Sequence, residues 1–275
     1  MEDKLNHQIG ISSWSYPWAV GVSKGPRLKR RLSVTSLIEK AISLDVKLVQ
    51  IADNLPLENL PWETMVKLKR LAGDTGITLE AGTCGVNPGH LMKFLEIAEF
   101  LRSPILRTVP SAPGKHVNIS DLEDNLNEVI TEFEKADIKI VLENTVDYKT
   151  DELVRLMESI NHPNLRISLD LVNAIGSLEG PESVMSKLGP WCGNFQFKDV
   201  VVVRSMTPMG FNVEGRPSGK GDIPIQWALD KLKEMGVHHP TIIELWPPWQ
   251  GDIESTVKLE EDWVAESVAF MKSLY

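Results

Sequence analysis

The chain has 275 residues, 42% of them apolar and 24% charged, with a formal net charge of -9. That suits one globular domain with a large core, and it argues against nucleic acid or an anionic membrane as the main partner. Cys84 and Cys192 lie far apart with no metal-type spacing, the first residues lack a signal-peptide core, and no run is long enough to span a bilayer; a reduced, soluble, cytoplasmic protein is expected.

A strand over 8–13 opens the chain and runs into an aromatic loop, Trp14-Ser15-Tyr16-Pro17-Trp18. The segment 21–31, basic and containing Gly and Pro, reads as a loop. Ser33 can cap a helix whose apolar stripe is Leu37, Ile38, Ala41 and Ile42. Strand and helix patterns then alternate. Strands are predicted at 47–51, 77–80, 104–108, 138–143, 165–170, 193–199 and 240–245. Helices are predicted at 61–72, 89–101, 120–136, 150–160, 181–188, 225–235 and 259–274. Pro61 reads as a helix start, and Ser120 with Glu123 reads as a capping box.

Eight strand–helix units imply a parallel sheet with right-handed crossovers. Closure into a single (β/α)8 TIM barrel, one α/β domain over 1–275, is the economical solution. An open doubly wound sheet is the competitor, but no G-x-G-x-x-G follows the first strand. The segment 200–221, the longest connection in the second half, is rich in Gly, Pro and Met. It is expected to cover the barrel mouth as a lid that orders with substrate.

Four successive late strands carry oxygen donors at or near their ends: Glu143, Asp170, Gln196 and Glu244. One acidic residue after a strand is most often a helix cap or a solvated loop group. Four at successive strand ends would converge on one point, where three carboxylates repel unless a cation lies between them. An all-oxygen shell suits Mg²⁺ or Mn²⁺, so these four are the candidate metal ligands. Lys198 alternates with Gln196 along its strand and points the same way. It is read as stabilising an enolate oxygen or a substrate carboxylate, with a structural ion pair as the plainer role. Asp199 points outward and is read as structural or supporting.

Glu143 and Glu244 are the candidate proton-transfer pair. Arg107, Trp14, Trp246 and Glu80 are candidates for substrate contact at the mouth, with Asp53, Trp18 and Trp249 beside them; each aromatic is equally open to a packing role. The histidines carry little signal. His162, His238 and His239 precede strands, whereas His90 and His116 follow strands three and four and are placed to reach the mouth.

The segments Val141-Leu142-Glu143-Asn144, Ser168-Leu169-Asp170, Phe195-Gln196-Phe197-Lys198-Asp199, Gly219-Lys220-Gly221-Asp222 and Ile243-Glu244-Leu245 resemble the xylose isomerase-like barrels. The resemblance covers nearly the whole chain, and the superfamily holds sugar isomerases, epimerases and dehydratases. It implies divalent-metal binding by Glu143, Asp170 and Glu244, with a fourth ligand that is usually the histidine of a His-x-Lys-Asp segment. Gln196 stands there instead, as in the similar dehydroshikimate dehydratases; it removes one proton-transfer option and disfavours imidazole-loving metals. The resemblance also matches Arg216 to an arginine aimed at substrate oxygens. A narrower likeness, in 170–173, 209–217 and 244–246, is to a branch that includes oxo-isoapionate decarboxylases.

The resemblance and the site together imply a metal-dependent isomerase or epimerase forming an enediolate from a small keto-sugar or sugar acid. Decarboxylation of a 3-oxo sugar acid, or dehydration, is the alternative, and a homo-oligomer is compatible with either. DNA-repair endonucleases share the barrel, but they use several zinc ions, many histidines and basic surfaces, which this acidic chain lacks. A non-catalytic sugar-binding barrel stays open, because fold does not set function.

Overall fold

The strand-length apolar runs become buried strands because a parallel barrel sheet is covered on both faces and needs apolar side chains on both. A computed structural model of the chain describes residues 8–21, 25–111, 115–206 and 209–274. The strands are β1 (Ile9–Ser12), β2 (Leu48–Ile51), β3 (Thr78–Cys84), β4 (Ile105–Val109), β5 (Lys139–Glu143), β6 (Leu165–Asp170), β7 (Cys192–Phe197), β8 (Asp199–Arg204), β9 (Phe211–Arg216) and β10 (Thr241–Ile243). Eight of them close into one barrel in the order β1-β10-β7-β6-β5-β4-β3-β2, all parallel, as expected for the (β/α)8 fold. The segment 1–7, read as having no signal-peptide core, and residues 22–24, 112–114 and 207–208 of the predicted loops lie outside the described residues.

The outer helices are α2 (Val34–Ser43), α3 (Trp62–Thr75), α4 (Pro88–Leu101), α5 (Ile119–Lys135), α6 (Thr150–Ile160), α7 (Pro181–Leu188), α8 (Ile225–Glu234) and α9 (Ile253–Lys272), and a short α1 (Pro17–Val20) follows β1. Their apolar stripes face the barrel; Leu37, Ile38 and Ala41 of α2 are fully buried. Two helix starts differ from the sequence reading. The cap of α5 is Asn118, whose Oδ1 accepts from the Asp121 amide at 2.8 Å, so the Ser120–Glu123 box is not used. Helix α9 begins at Ile253, capped by Asp252 Oδ1 accepting from the Ser255 amide at 2.7 Å. Its polar first turn, Glu254-Ser255-Thr256, hides that start from an apolar-period search. Among the described residues no helix is long and apolar enough to cross a membrane.

The predicted lid segment folds as an antiparallel hairpin, β8 against β9, with Asp199 paired to Arg216 and Arg204 to Phe211. Its base is tied by the Asp199 carboxylate. Oδ2 accepts from the Gly219 and Gly221 amides at 2.8 and 2.9 Å, and Oδ1 accepts from the Val200 and Ile223 amides at 3.0 and 3.2 Å. Glycine is required at 221 because a Cβ there would collide with the Asp199 carboxylate. Replacing Asp199 by Ala removes a charged acceptor from four backbone donors, and a loss of about 3 kcal/mol in unfolding free energy is expected. Urea denaturation checks this; a loss under about 1 kcal/mol would show that the hairpin base is held by other contacts.

Candidate active site at the C-terminal end of the barrel

Alternate residues of each strand face the barrel interior, and the register stacks the polar ones into a ladder that climbs toward the C-terminal end. Gln50 pairs with Glu80 across β2 and β3, and the Gln50 Nε2 donates to Glu80 Oε2 at 2.8 Å. On β7 the inward residues are Asn194 and Gln196, followed by Lys198. Asn194 Nδ2 donates to Glu80 Oε2 at 3.3 Å and its Oδ1 accepts from Ser168 Oγ at 2.6 Å. Gln196 Nε2 reaches Gln50 Oε1 at 3.5 Å, while the buried Gln196 Oε1 has no hydrogen-bond partner. A register shift at Ile167/Ser168 brings Asp170 opposite Gln196.

Above this ladder lies a floor of buried ions. The Lys198 ammonium bridges Asp170 Oδ2 and Glu244 Oε2, the latter at 2.9 Å, and stands 5.8 Å from the centre of the Trp246 ring. The Arg107 guanidinium bridges Asp53 Oδ1 at 2.6 Å and Glu143 Oε2. Glu244 Oε1 also accepts from Ser12 Oγ at 3.4 Å. Asn173 Nδ2 donates to Glu143 Oε1 at 2.9 Å, and Asp170 Oδ1 accepts from the Val172 and Asn173 amides at 2.7 and 3.0 Å. Asn144 holds the Asp170 backbone from both sides, Oδ1 to its amide and Nδ2 to its carbonyl, each at 2.8 Å.

The electrostatics follow from burial against pairing. Burial pushes the Glu143 carboxyl above the usual carboxylate range, and Arg107 and Lys198 pull it back only in part. Burial works against the charge on Lys198, yet Asp170, Glu244 and Glu143 hold that ammonium above its ordinary pKa. Arg107 is held charged in the same way by Glu143 and Asp53.

The floor opens into a cavity of about 890 Å³ lined by Asp53, Arg107, Glu143, Lys198, Glu244 and Asn173 together with apolar side chains. Trp14 and Trp246 line it, and so do Phe211 and Val213 of the hairpin. Four expectations differ from the structure. Glu80 lies within β3, not at its end, and is bonded beneath the floor to Gln50 and Asn194, so it does not line the cavity. Arg216 turns to Glu214 at 3.1 Å and to the Gly215 carbonyl; β9 gives its cavity side to Phe211 and Val213. Trp18 and Trp249 pack on each other beside the cavity, 5.4 Å between ring centres, and do not line it. His90 bonds Thr83 Oγ1 at 2.7 Å, and His116 stacks near Tyr148, so neither joins the lining.

Arg107 and Asp53, candidates for substrate contact at the mouth, are ion-paired in the floor. Asn144 and Asn173 stand in segments that carry the family resemblance, but their hydrogen-bonding roles, like that of Gln50 within β2, are not marked by any local pattern.

Whether a divalent cation suits these residues can be judged from donors and charge. Glu143, Asp170, Glu244 and the unpartnered Gln196 Oε1 are all oxygen. With every group ionised, the floor's carboxylates, Asp53 included, outnumber Arg107 and Lys198 by two charges. Both features fit a hard divalent ion. In this conformation, however, Lys198 stands between Asp170 and Glu244. Among the described residues no three His, Cys, Asp or Glu side chains are grouped to hold a metal. The residues fit such an ion in kind and charge, with Lys198 paired to two of the acids that would hold it.

The Glu80 carboxyl is pushed up to about 7, by burial first, against hydrogen bonds from Gln50 and Asn194. Its folded pKa therefore exceeds the unfolded value, so its contribution to stability is full below about pH 4.5 and is lost as pH rises through about 7. Glu80→Gln keeps an acceptor oxygen and cannot ionise. Relative to the unsubstituted protein, the variant should gain in urea midpoint between about pH 5 and about pH 8. A gap that does not change with pH would contradict this.

The profile of the family described as xylose isomerase-like TIM barrel matches residues 38–274. The chain is 27% identical over 263 residues to the 3-oxo-isoapionate decarboxylase of Pectobacterium atrosepticum, covering 96% of this chain and 94% of that one. In fold it is similar to D-psicose 3-epimerase from Clostridium cellulolyticum H10, solved with D-tagatose, at a TM-score of 0.73 and 15% identity over 97% of this chain and 99% of that one. It is also similar to a xylose isomerase-like TIM barrel protein from Mycobacterium smegmatis solved with magnesium, at a TM-score of 0.66 and 12% identity over 97% of each chain. A closed eight-stranded parallel barrel with acids and an amide at the ends of β5, β6, β7 and β10, matched by that profile over most of its length, belongs to the xylose isomerase-like TIM barrel family.

Proposed function

We propose that the chain is a divalent-metal-dependent carbon–carbon lyase that decarboxylates a 3-oxo sugar acid. The observation that carries this reading is the pair of buried cations, Lys198 and Arg107, facing the cavity within a floor of carboxylates. The whole-length likeness to a decarboxylase supports it. Glu143, Asp170, Gln196 and Glu244 would hold the ion, which supplies Lewis-acid stabilisation of negative charge developing on a substrate oxygen.

The chain's own groups divide the remaining work. Lys198, kept charged by its neighbours, faces the oxygen on which the electrons of the breaking carbon–carbon bond collect. As CO₂ departs, the enolate carbon needs a proton. Glu143, a carboxyl that lines the cavity on one side of the floor, is the group placed to pass that proton in from solvent. Trp14 and Trp246 restrict water above it.

The isomerase or epimerase expected from the sequence needs two bases acting on opposite faces. Glu143 and Glu244 are the pair, but each is already ion-paired, with Arg107 and with Lys198, and this arrangement of two cations beside the cavity supports decarboxylation. The two readings part experimentally. The Mn²⁺-loaded protein should release CO₂ from a 3-oxo sugar acid while recovered keto-sugars take up no deuterium from D₂O, and Lys198→Met should lower the CO₂ rate by about a hundredfold or more. Deuterium in a recovered keto-sugar or its epimer, without CO₂ release, would overturn the lyase reading in favour of proton exchange.

A further inference from the structure

We propose that the natural substrate is amphiphilic: an oxygen-rich head seated on the ionic floor, carrying an aryl or alkyl substituent that lies along the apolar wall of the same cavity. This rests on the reading of the floor as the place of reaction, and it adds a substrate class that a small sugar acid alone does not supply.

The cavity is strongly segregated. Its paired ionic groups are at the floor, whereas the rest of the lining is mainly Val146, Val172, Ile175, Leu178, Phe211 and Val213, with the unpartnered Thr145 hydroxyl among them. Glu179, on that wall, is turned to its own loop, accepting from the Thr150 amide at 2.9 Å and from Ser177 Oγ at 3.3 Å. A volume of about 890 Å³ lies near the top of the roughly 300–1,000 Å³ range of sites that enclose drug-sized ligands. A sugar acid fully hydrogen-bonded to the floor would leave most of that wall against water.

Leu178 sharpens the point. It is 91% exposed and has φ 62°, so a large apolar side chain stands in solvent on a left-handed backbone that Gly or Asn would adopt more cheaply. Phe211, across the mouth on the hairpin, is 66% exposed. Both line the cavity that continues down to Lys198 and Glu244. An apolar group entering with the head would be covered by these two residues, and the unfavourable exposure would be relieved on binding.

Affinity of matched probe pairs tests this without turnover. Calorimetric titration of the full chain in MgCl₂ would compare methyl with phenyl β-D-glucopyranoside, and 2-oxobutanoate with 2-oxo-4-phenylbutanoate. The phenyl member of at least one pair should bind about tenfold tighter or more. That gain should disappear in Leu178→Asn combined with Phe211→Ser, while the short member of the pair keeps its affinity. Asn is favoured at a left-handed position, so this test does not depend on a destabilised variant. Phenyl members that bind no tighter in either pair, or an undetectable interaction with all four probes, would overturn the proposal. So would a phenyl gain that survives the double substitution. If the substitutions instead convert a dimer to a monomer in sedimentation and leave the pairs equal, the rim is a contact between copies and the proposal falls. A phenyl gain with no CO₂ release from any oxo acid would sink the lyase reading and leave the amphiphilic substrate class standing.

Discussion

Taking an ammonium out of water costs several kcal/mol, and Lys198 is buried only because Asp170 and Glu244 flank it. The same holds for Arg107 between Asp53 and Glu143. Each acid in turn is held by neighbours placed by the barrel: Asn173 on Glu143, the Val172 and Asn173 amides on Asp170, and Ser12 on Glu244. Removing one member leaves an uncompensated charge in a dry site, so the floor behaves as a unit. Cations paired in this way are placed beside the cavity before substrate arrives, where they can receive developing negative charge.

Support comes from two directions. From below, the ladder of Glu80, Gln50, Asn194 and Gln196 turns the Gln196 amide nitrogen toward Gln50 and leaves its oxygen unpartnered. On the other side, the Asp199-tied hairpin brings Phe211 and Val213 into the cavity lining, and β9 approaches the Trp246 backbone so closely at Gly215 that a Cβ would collide with it. Polar chemistry and apolar enclosure are thus supplied by different elements, the strand ends and the loops, a division typical of barrel enzymes.

Much of this was legible in the residues. Strict alternation of apolar runs with amphipathic ones leads to the barrel, and α6 and α7 start and stop where Thr150, Pro181 and their stripes place them. Glu143, Asp170, Gln196, Lys198 and Glu244 are brought together because strand-end position is readable from local pattern. Arg107 was underrated because an arginine within a strand looks like an edge residue until its two carboxylates, 54 and 36 positions away, are seen beside it. Arg216 was overrated for the converse reason: which side of β9 faces the cavity depends on the hairpin register, which nothing local announces. The hairpin itself lay hidden in a segment whose Gly, Pro and Met content reads as loop.

A xylose isomerase-like barrel of the same fold was solved with magnesium, and here an ammonium stands among the acids proposed to hold an ion. Lys198 already bridges Asp170 and Glu244, so an ion held by those acids would compete with it for them. A crystal soaked in MnCl₂ and measured at the manganese absorption edge addresses this directly. One anomalous peak bonded to Gln196 Oε1 and to at least two of Glu143, Asp170 and Glu244, with Lys198 moved off Asp170 or Glu244, is the predicted result. An anomalous map with no peak at the floor, and Lys198 still bridging both acids, would contradict it.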